Sequence, residues 1–302
     1  MTKKSNIKYQ ISDMLQGPLV VIVGQTASGK SAIAMQLAKE FSGEIIAADS
    51  WTVRRQLDIG TAKPSLGEQN KTPHHLIDIV DPCGDFTAVE FQRLARQASQ
   101  DISWRNKLPL LVGGTGLYID SILYNYSFSP KGTELQRERY NQMSIEQLIQ
   151  EASDRQLNLE SIDIRNKRRI IRLLETDGYA PQKQPLRPNT LVIGIKYPRE
   201  QLLSQIEARV ERMIQAGLEQ EVRDLSEHYG WDCEGLKGIG YIEWRDYFSG
   251  QQSLEQTKQR IIQATRQLAK RQNTWFKRNK DIIWCSSIDD VRQQMYTFLS
   301  RY

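Results

Sequence analysis

The residues with the clearest chemistry form a glycine-rich loop near the N-terminus. Residues 24–31 read Gly-Gln-Thr-Ala-Ser-Gly-Lys-Ser, a Walker-type pattern that follows an apolar run and opens a helical one. In such a loop backbone amides point at a phosphate chain, the lysine adds positive charge and the final hydroxyl holds a magnesium ion. The pattern predicts Mg²⁺ at Ser31 but does not say whose phosphates are bound. The candidate phosphate ligands are Gly24, Gln25, Thr26, Ala27, Ser28, Gly29, Lys30 and Ser31.

Two further groups of candidate residues follow apolar runs. Asp49 and Ser50 end the run at residues 44–48, and Gly-Gly-Thr-Gly at residues 113–116 ends another. A carboxylate at Asp49 could accept a proton or coordinate a metal through water, and a helix cap or turn residue fits the position equally well. The glycines allow close backbone approach, and Thr115 offers either a hydroxyl for a ligand or a helix N-cap.

Short apolar runs must position these residues. They have the length of buried parallel strands, and one amphipathic helix between them is announced by a capping box, Thr87 to Glu90. Alternation of strands and helices predicts an α/β fold with a doubly wound parallel sheet, whose ligands bind beyond the carboxyl ends of the strands. The expected strands lie at residues 19–23, 44–48, 75–80, 108–112, 191–195 and 282–285.

The pattern changes in the middle of the chain. Between residues 127 and 188 strand signals vanish, charge rises and three prolines close the stretch, which predicts a small all-helical insertion. The P-loop core is then discontinuous, with a first part at residues 1–126 and a second part at residues 189–302. Long helical patterns in the second part cover residues 199–229 and 253–277.

Composition describes an ordinary globular protein. Of 302 residues 39% are hydrophobic and 25% charged, and the formal net charge of +5 leans toward a polyanionic partner. The three cysteines, Cys83, Cys233 and Cys285, stand far apart without a CxxC pair, so we expect neither a zinc knuckle nor a disulfide framework. With no signal peptide and no membrane-spanning run, the sequence predicts a cytoplasmic protein whose first 17 residues are frayed.

Two basic segments lack acidic residues. One covers residues 256–280, where Arg266, Lys270 and Thr274 would share a helical face; the other covers residues 165–172 in the expected insertion. A charge run is often only a solvated face. Because phosphate contacts need unpaired cations, the two runs together favour nucleic-acid binding.

Taken together, the motifs resemble a known family. The phosphate loop, Ala-Asp-Ser at 48–50, Asp-Ile-Gly-Thr-Ala-Lys-Pro at 58–64, His-His-Leu-Ile-Asp at 74–78, Gly-Gly-Thr-Gly-Leu-Tyr at 113–118 and Ala-Thr-Arg-Gln-Leu-Ala-Lys-Arg-Gln at 264–272 appear in order. This set resembles the bacterial tRNA dimethylallyltransferases, or tRNA isopentenyltransferases, and the likeness runs from about residue 19 to residue 284.

The resemblance implies a reaction and partners. In that family a dimethylallyl group moves from dimethylallyl diphosphate to N6 of adenosine 37, beside the tRNA anticodon, and the P-loop cradles the diphosphate. It implies that Asp49 is the general base, that Thr115 lies near the transferred group and the base, and that Lys30 and Arg209 stabilise the diphosphate. Apart from the resemblance, we expect a monomer that does not bind a membrane.

The resemblance also implies a tRNA-binding surface. The target adenine would be extruded from the anticodon loop, with Tyr241 stacking on RNA and the two basic segments gripping the stem and loop. The implied tRNA contacts are Asp49, Ser50, Trp51, Thr52, Thr115, Arg137, Arg168, Arg169, Arg172, Lys237, Gly238, Tyr241, Arg266 and Lys270.

The chain departs from the family pattern, and other functions remain open at this point. The family usually has proline where Gln25 stands and a Gln-rich or Tyr-bearing stretch where this chain has Trp-Thr-Val-Arg-Arg at residues 51–55. A P-loop nucleotide kinase or ATPase fits the loop equally well but leaves the 58–64 motif and the basic helix unexplained. A prenyltransferase of free AMP or ADP needs no basic segments, and a nonenzymatic RNA-binding module would leave the P-loop idle.

Overall fold

Six parallel strands form the central sheet. A computed structural model describes residues 17–128 and 132–302, so most of the expected frayed N-terminal segment lies outside the described residues. The sheet order is β3-β2-β4-β1-β5-β6, and every neighbouring pair is parallel. This confirms the predicted α/β class with a parallel sheet. The strands are β1 Leu19–Gly24, β2 Gly43–Ala48, β3 His74–His75, β4 Leu108–Gly113, β5 Thr190–Ile195 and β6 Ile283–Cys285.

The described residues contain twelve α-helices. They are α1 Lys30–Glu40, α2 Leu66–Lys71, α3 Ala88–Trp104, α4 Gly116–Leu123, α5 Glu134–Gln142, α6 Ile145–Asp154, α7 Lys167–Glu175, α8 Arg199–Gln215, α9 Leu218–Tyr229, α10 Arg245–Phe248, α11 Leu254–Phe276 and α12 Ile288–Leu299. Short 3₁₀ helices lie at Leu159–Ser161, Glu234–Lys237 and Ile242–Trp244.

Two expected elements differ from the structure. The strand predicted at residues 75–80 is wrong beyond its start, because β3 covers only His74–His75. Leu76 and Asp78 have φ angles of 65° and 56°, in the left-handed region, so the chain leaves the extended conformation there. The helical pattern at residues 199–229 is two helices, α8 and α9, separated at Gly217, whose φ is 99°.

The apolar strands are buried on both faces of the sheet. One face packs against α1 and α12 through residues such as Leu37, Val291 and Met295, each fully buried. On α3, Phe91, Ala95 and Ile102 are also buried. Burial on both sides explains why these strands read as continuous apolar runs rather than alternating ones. The parallel strands are thereby held rigidly, and their carboxyl ends lie along one edge.

A second apolar cluster joins α8, α9 and α11. Ile206 on α8, Val222 on α9 and Ile261 on α11 are buried together with Tyr241 and Trp244. This cluster anchors α11, the long basic helix, to the core of the protein. The remaining polar face of α11 is therefore fixed in orientation.

Residues Tyr124–Pro185 form a second compact unit, separate from the unit made by the chain before residue 124 and after residue 185. Its helices α5, α6 and α7 pack around Tyr140, Leu148, Ile170 and Leu174, all buried. The expected insertion was at residues 127–188, three residues later at each end. No strand longer than an isolated bridge occurs in its described residues.

The absence of a disulfide was a wrong expectation. Cys83 and Cys233 are bonded, with a Cα–Cα distance of 4.7 Å, and Cys285 is free and buried. The two cysteines are 150 residues apart in sequence, but the backbone N–H of Gly235 donates to the carbonyl of Pro82 and draws their loops together. Among the described residues, no helix has the length and apolarity needed to cross a membrane.

Candidate active site

Three adjacent strands bring the predicted chemical groups together. β4 lies between β1 and β2, with Gly113 in register with both Val23 and Ala48. The N–H of Thr115 donates to the carbonyl of Ala48 at 3.2 Å, and a Cβ at Gly113 would come within 2.0 Å of that carbonyl oxygen. Glycine is therefore required at position 113. The phosphate loop, Asp49 and Thr115 follow these three strands directly.

The phosphate loop has the backbone of an anion-binding turn. Ala27 and Gly29 have φ angles of 62° and 78°, and α1 begins at Lys30 immediately afterwards. Left-handed residues before a helix N-terminus turn successive N–H groups toward one point, which favours phosphate oxygens. The hydroxyl of Ser28 is buried and has no partner among the described residues. A polar atom of this kind is satisfied when a ligand or water occupies the loop.

Two cations and one carboxylate influence one another beside the loop. Burial lowers the pKa of the Lys30 ammonium to about 8; the Asp49 carboxylate opposes this shift, and the Arg209 guanidinium adds to it. Burial also lowers the pKa of Arg209 on α8, again with Asp49 opposing. Two partly desolvated cations beside an anion-binding loop gain most from a ligand with concentrated negative charge. Lys30, Asp49 and Arg209 are therefore close enough to interact electrostatically.

Backbone contacts orient the Asp49 carboxylate. Its Oδ1 accepts the N–H of Trp51 at 2.8 Å and the N–H of Thr52 at 3.3 Å. Asp49 thus forms the turn that the sequence left as an alternative, but no described residue donates to its Oδ2. The Thr115 hydroxyl accepts the N–H of Ser50 at 3.2 Å. The carboxylate and the hydroxyl are therefore held at neighbouring strand ends.

Comparison with known proteins decides the family. Residues 52–279 match the family model described as IPPT: IPP transferase. The chain belongs to the IPP transferase family. The matched range begins just after Asp49, so the strand-end geometry of the phosphate loop stands as separate evidence for the site.

Curated relatives and solved structures agree with this assignment. The chain is 41% identical over 284 residues to the tRNA dimethylallyltransferase of Anoxybacillus flavithermus, covering 90% of this chain and 91% of the relative. It is 42% identical over 289 residues to tRNA dimethylallyltransferase 1 of Pelobacter propionicus, covering 88% and 91%. The tRNA isopentenylpyrophosphate transferase of Bacillus halodurans superimposes with a TM-score of 0.72 at 34% identity, covering 94% of this chain and 95% of that chain. A eukaryotic dimethylallyltransferase acting on tRNA gives 0.74 at 27% identity, covering 89% and 74%.

The site of this IPP transferase offers hard oxygen ligands for a cation. In residues 17–128 and 132–302 no group of three or more histidine, cysteine, aspartate or glutamate side chains is arranged to hold a metal ion. Ser31 is exposed in the first turn of α1. The Asp49 carboxylate interacts electrostatically with the Lys30 ammonium. Mg²⁺ prefers such oxygens together with substrate phosphates and water, so these residues suit magnesium bound with a diphosphate.

Several cations of the basic helix α11 are in ion pairs, which its sequence did not indicate. Arg266 forms an ion pair with Glu207 on α8, Lys258 with Glu211 and Arg260 with Asp246. The expectation that this segment consists of unpaired cations is therefore wrong at these three positions, because the acidic partners come from other elements. Among the described residues, no carboxylate lies within ion-pair distance of Lys270 or Arg271. Phe276 is buried, so only Trp275 of the neighbouring aromatic pair is exposed.

Several predicted RNA contacts are buried instead. Tyr241 is 1% exposed and its hydroxyl donates to Glu221, so the prediction that it stacks on RNA is wrong. Gly238 is buried under the Trp51 ring, which a Cβ at that position would approach to 2.9 Å. Thr52 is 7% exposed. Thr52, Gly238 and Tyr241 are therefore too buried to contact a macromolecular ligand. Lys237, in contrast, is exposed.

Within the second compact unit, the predicted arginines serve partly as structural ties. Arg137 on α5 makes a bidentate contact with Glu175 at the end of α7, at 2.7 and 3.1 Å. Arg172 also lies 3.5 Å from Glu175. Arg168 and Arg169 are exposed on α7. Their proposed contact with tRNA stays a prediction.

Sequence reasoning missed the residues that fasten the site. Glu221 accepts the N–H groups of Asp58, Ile59 and Gly60, which explains part of the 58–64 motif as an anchoring turn. Lys63 of the same motif is buried against Asp58 and Asp78. Gln272 on α11 contacts the phosphate loop. The glycines at 114 and 116 were the available signal, since both mark close approach by another element.

Proposed function

We propose that this chain transfers a dimethylallyl group from dimethylallyl diphosphate to N6 of adenosine 37 in the anticodon loop of tRNA, releasing diphosphate. One observation carries the proposal: the phosphate loop, Asp49 and Thr115 meet at three adjacent strand ends of a chain in the IPP transferase family. Relatives of 41% and 42% identity bear the name tRNA dimethylallyltransferase. A nucleotide kinase shares the phosphate loop, but the family match of residues 52–279 is to the IPP transferases.

The donor's diphosphate occupies the phosphate loop. Departure of diphosphate from an allylic carbon develops negative charge on the leaving oxygen. The loop amides, Lys30 and Arg209 surround that charge with fixed dipoles and cations, which are worth most when they are already desolvated. Burial lowers the pKa values of Lys30 and Arg209, and cations that are already desolvated suit this role.

The acceptor nitrogen loses a proton to Asp49. The N6 electron pair forms a bond to the terminal carbon of the dimethylallyl group as the carbon–oxygen bond to diphosphate breaks. The nitrogen then carries an extra proton, which passes to Oδ2 of Asp49. Because Oδ1 is held by the N–H groups of Trp51 and Thr52, the carboxylate keeps one orientation while Oδ2 accepts. Thr115 would border the transferred group at the same strand ends.

Magnesium is the proposed cofactor, with Ser31 as its protein ligand beside the donor's phosphate oxygens. When bound, the ion supplies Lewis-acid stabilisation of the leaving diphosphate. Lys30 and Arg209 act on the same oxygens by charge and hydrogen bonding. Ser31→Ala is accordingly expected to raise the magnesium concentration needed for half-maximal donor binding.

The anticodon stem-loop of tRNA is the proposed partner. Lys270 and Arg271 on α11 and Lys237 are exposed cations in the unit that holds Asp49. The unpaired anticodon loop makes extrusion of the target adenine less costly than flipping it from a duplex. We further propose that the protein works as a monomer in the cytoplasm.

Titration with donors and acceptors tests this function against its rivals. Dimethylallyl diphosphate is expected to bind in the presence of magnesium, and an anticodon stem-loop RNA is expected to be the preferred acceptor over AMP. Tight ATP binding with turnover, and no binding of the prenyl donor, would assign the chain to the kinases. Preference for AMP over the RNA would assign it to the free-nucleotide prenyltransferases.

A further inference from the structure

The C-terminal part of α11 lies directly against the glycine loop that follows β4. A Cβ at Gly114 would come within 2.3 Å of Nε2 of Gln272, and one at Gly116 within 2.4 Å of the Trp275 ring. Nε1 of Trp275 also donates to Asp120 on α4 at 3.1 Å. The two glycines therefore make room for a helix, in addition to any ligand. α11 is seated on the loop that presents Thr115.

One side chain of that helix bridges two parts of the site. Oε1 of Gln272 accepts the N–H of Thr26 in the phosphate loop at 2.7 Å. Its Nε2 donates to the carbonyl of Gly114 at 3.1 Å. A side-chain amide can accept through its oxygen and donate through its nitrogen at the same time. Gln272 thus ties the loop that would hold the donor to the loop that would face the acceptor.

A second tie fixes the same half of the phosphate loop. Nε2 of Gln25 donates to the carbonyl of Ala269, one turn before Gln272, at 3.0 Å. The first half of the loop is therefore fastened to α11 at two neighbouring residues. The N–H of Thr26 is used by Gln272, and that of Ser28 donates to the carbonyl of Gln25 at 3.2 Å. The N–H groups of Gly29, Lys30 and Ser31, where α1 begins, are among those left for an anion.

We propose that Gln272 is a positioning residue for group transfer, which rests on the function proposed above. It does not touch the reacting atoms; it fixes the separation between the diphosphate loop and the Thr115 loop. Displacement at carbon needs the attacking nitrogen, the carbon and the leaving oxygen in line, and a misplacement of about 1 Å can cost about 100-fold in rate. Each loop alone can bind its ligand without this tie, so its loss slows transfer more than binding.

The test separates the rate of transfer from the affinity for donor. Gln272→Ala is expected to lower the single-turnover rate, at saturating dimethylallyl diphosphate and stem-loop RNA, by about 10- to 100-fold. The dissociation constant for the donor should change by less than about threefold. Gln97→Ala, at an exposed mid-helix glutamine on α3, is the matched control and should leave both unchanged. If Gln272→Ala has a lower melting temperature than the wild type, Gln25→Ala, which removes the neighbouring tie, takes its place in the same comparison of transfer rate and donor affinity.

A double-mutant cycle adds a readout that a purely structural role would not move. If Gln272 acts through the loop of Thr115, the rate lost on Gln272→Ala should be smaller in a Thr115→Ala background than in the wild type. Fully additive losses, an unchanged rate, or a donor affinity that falls as much as the rate would each overturn the positioning role. These outcomes presuppose that the wild type transfers the prenyl group. A wild type that transfers nothing overturns the proposed function and this proposal with it.

Discussion

At the scale of single residues, the chemistry depends on how Asp49 is held. A carboxylate with both oxygens bonded to backbone would be a turn residue only, and one with neither bonded would be poorly oriented. Here Oδ1 is bonded to the N–H groups of Trp51 and Thr52, while no described residue donates to Oδ2. Asp49 therefore combines the structural role and the chemical role between which its sequence position could not decide.

Replacement of Asp49 tests its chemical role. Asp49→Ala and the isosteric Asp49→Asn should each lower the transfer rate by about 10²- to 10⁴-fold, because the acceptor proton loses its base. Donor and RNA affinities should remain close to the wild-type values, as measured by titration. Transfer at a near wild-type rate in Asp49→Asn would show that another group, or water, removes the proton.

Residue types at the strand ends could be predicted from the sequence, but their exposure could not. Lys30, Asp49 and Thr115 occur in short motifs next to apolar runs, and parallel strands place such residues along one edge. Tyr241 also occurs in a motif, yet it is buried against Gly60 and bonded to Glu221. A buried tyrosine that supports a site and an exposed tyrosine that stacks on a base look the same in the sequence. Only the packing around the side chain distinguishes them.

At the scale of elements, α11 joins the site to the proposed RNA surface. One side of the helix packs through Ile262, Thr265 and Ala269, while Lys270 is exposed. The sequence predicted the helix within one residue at each end, since its capping box at Ser253 and its periodicity are local signals. It could not predict the acidic partners on α8 and in the α10 region, which come from distant sequence.

Charge removal on α11 should therefore affect RNA binding unequally. Lys270→Ala is expected to weaken stem-loop affinity and to lower the slope of log affinity against log salt by about 0.7 to 0.9. Arg266→Ala should have a smaller effect, because its guanidinium already pairs with Glu207. The double variant should combine these losses.

Lys258→Ala is the matched control for this series. Lys258 lies on the same helix and pairs with Glu211, so its removal should leave the salt slope close to the wild-type value. An unchanged slope for Lys270→Ala and the double variant would mean that this face of α11 is only solvated.

The turn between Gly238 and Trp244 gives a pH-dependent prediction. Burial raises the pKa of Glu243, and the N–H of Gly240, which donates to its Oε2 at 2.8 Å, opposes the shift. A raised pKa in the folded state means that the folded protein binds more protons, so stability falls as the pH rises through that pKa. Glu243→Gln cannot ionise and keeps an acceptor for Gly240. Its free energy of unfolding should exceed that of the wild type increasingly from about pH 4.5 upward.

Urea unfolding at several pH values measures this difference. Glu227→Gln, at an exposed position on α9, controls for the loss of one negative charge. A stability difference for Glu243→Gln that stays constant or shrinks with rising pH would contradict the assignment of burial as the cause.

At the scale of the whole molecule, the chain returns to the core after an independent helical unit. The parallel class and most strands could be predicted, because buried strands read as short apolar runs. The short length of β3 could not be predicted. Asp78, within the expected strand, forms an ion pair with the buried Lys63 ammonium, and the hydrophobic periodicity of the sequence gives no sign of this contact. The bond between Cys83 and Cys233 was missed for a similar reason, because 150 residues separate its partners in sequence.

Removal of that disulfide should destabilise the protein. Crosslinks that close long loops typically contribute about 2–4 kcal/mol to the free energy of unfolding. Cys83→Ser is expected to lower it by that amount relative to the oxidised wild type, as measured by urea unfolding. A thiol reductant should lower the free energy of unfolding of the wild type to that of Cys83→Ser. Equal stabilities without reductant would show that the bond does not form in solution.

The most direct test of the central claim is mass analysis of the nucleosides of an anticodon stem-loop RNA incubated with this protein, dimethylallyl diphosphate and magnesium. We expect one adenosine per RNA to gain a dimethylallyl group at N6, with one diphosphate released for each, and strongly reduced product formation with Asp49→Asn over the same incubation time. An unmodified RNA under conditions where the protein binds both ligands, or modification that persists undiminished in Asp49→Asn, would contradict the account.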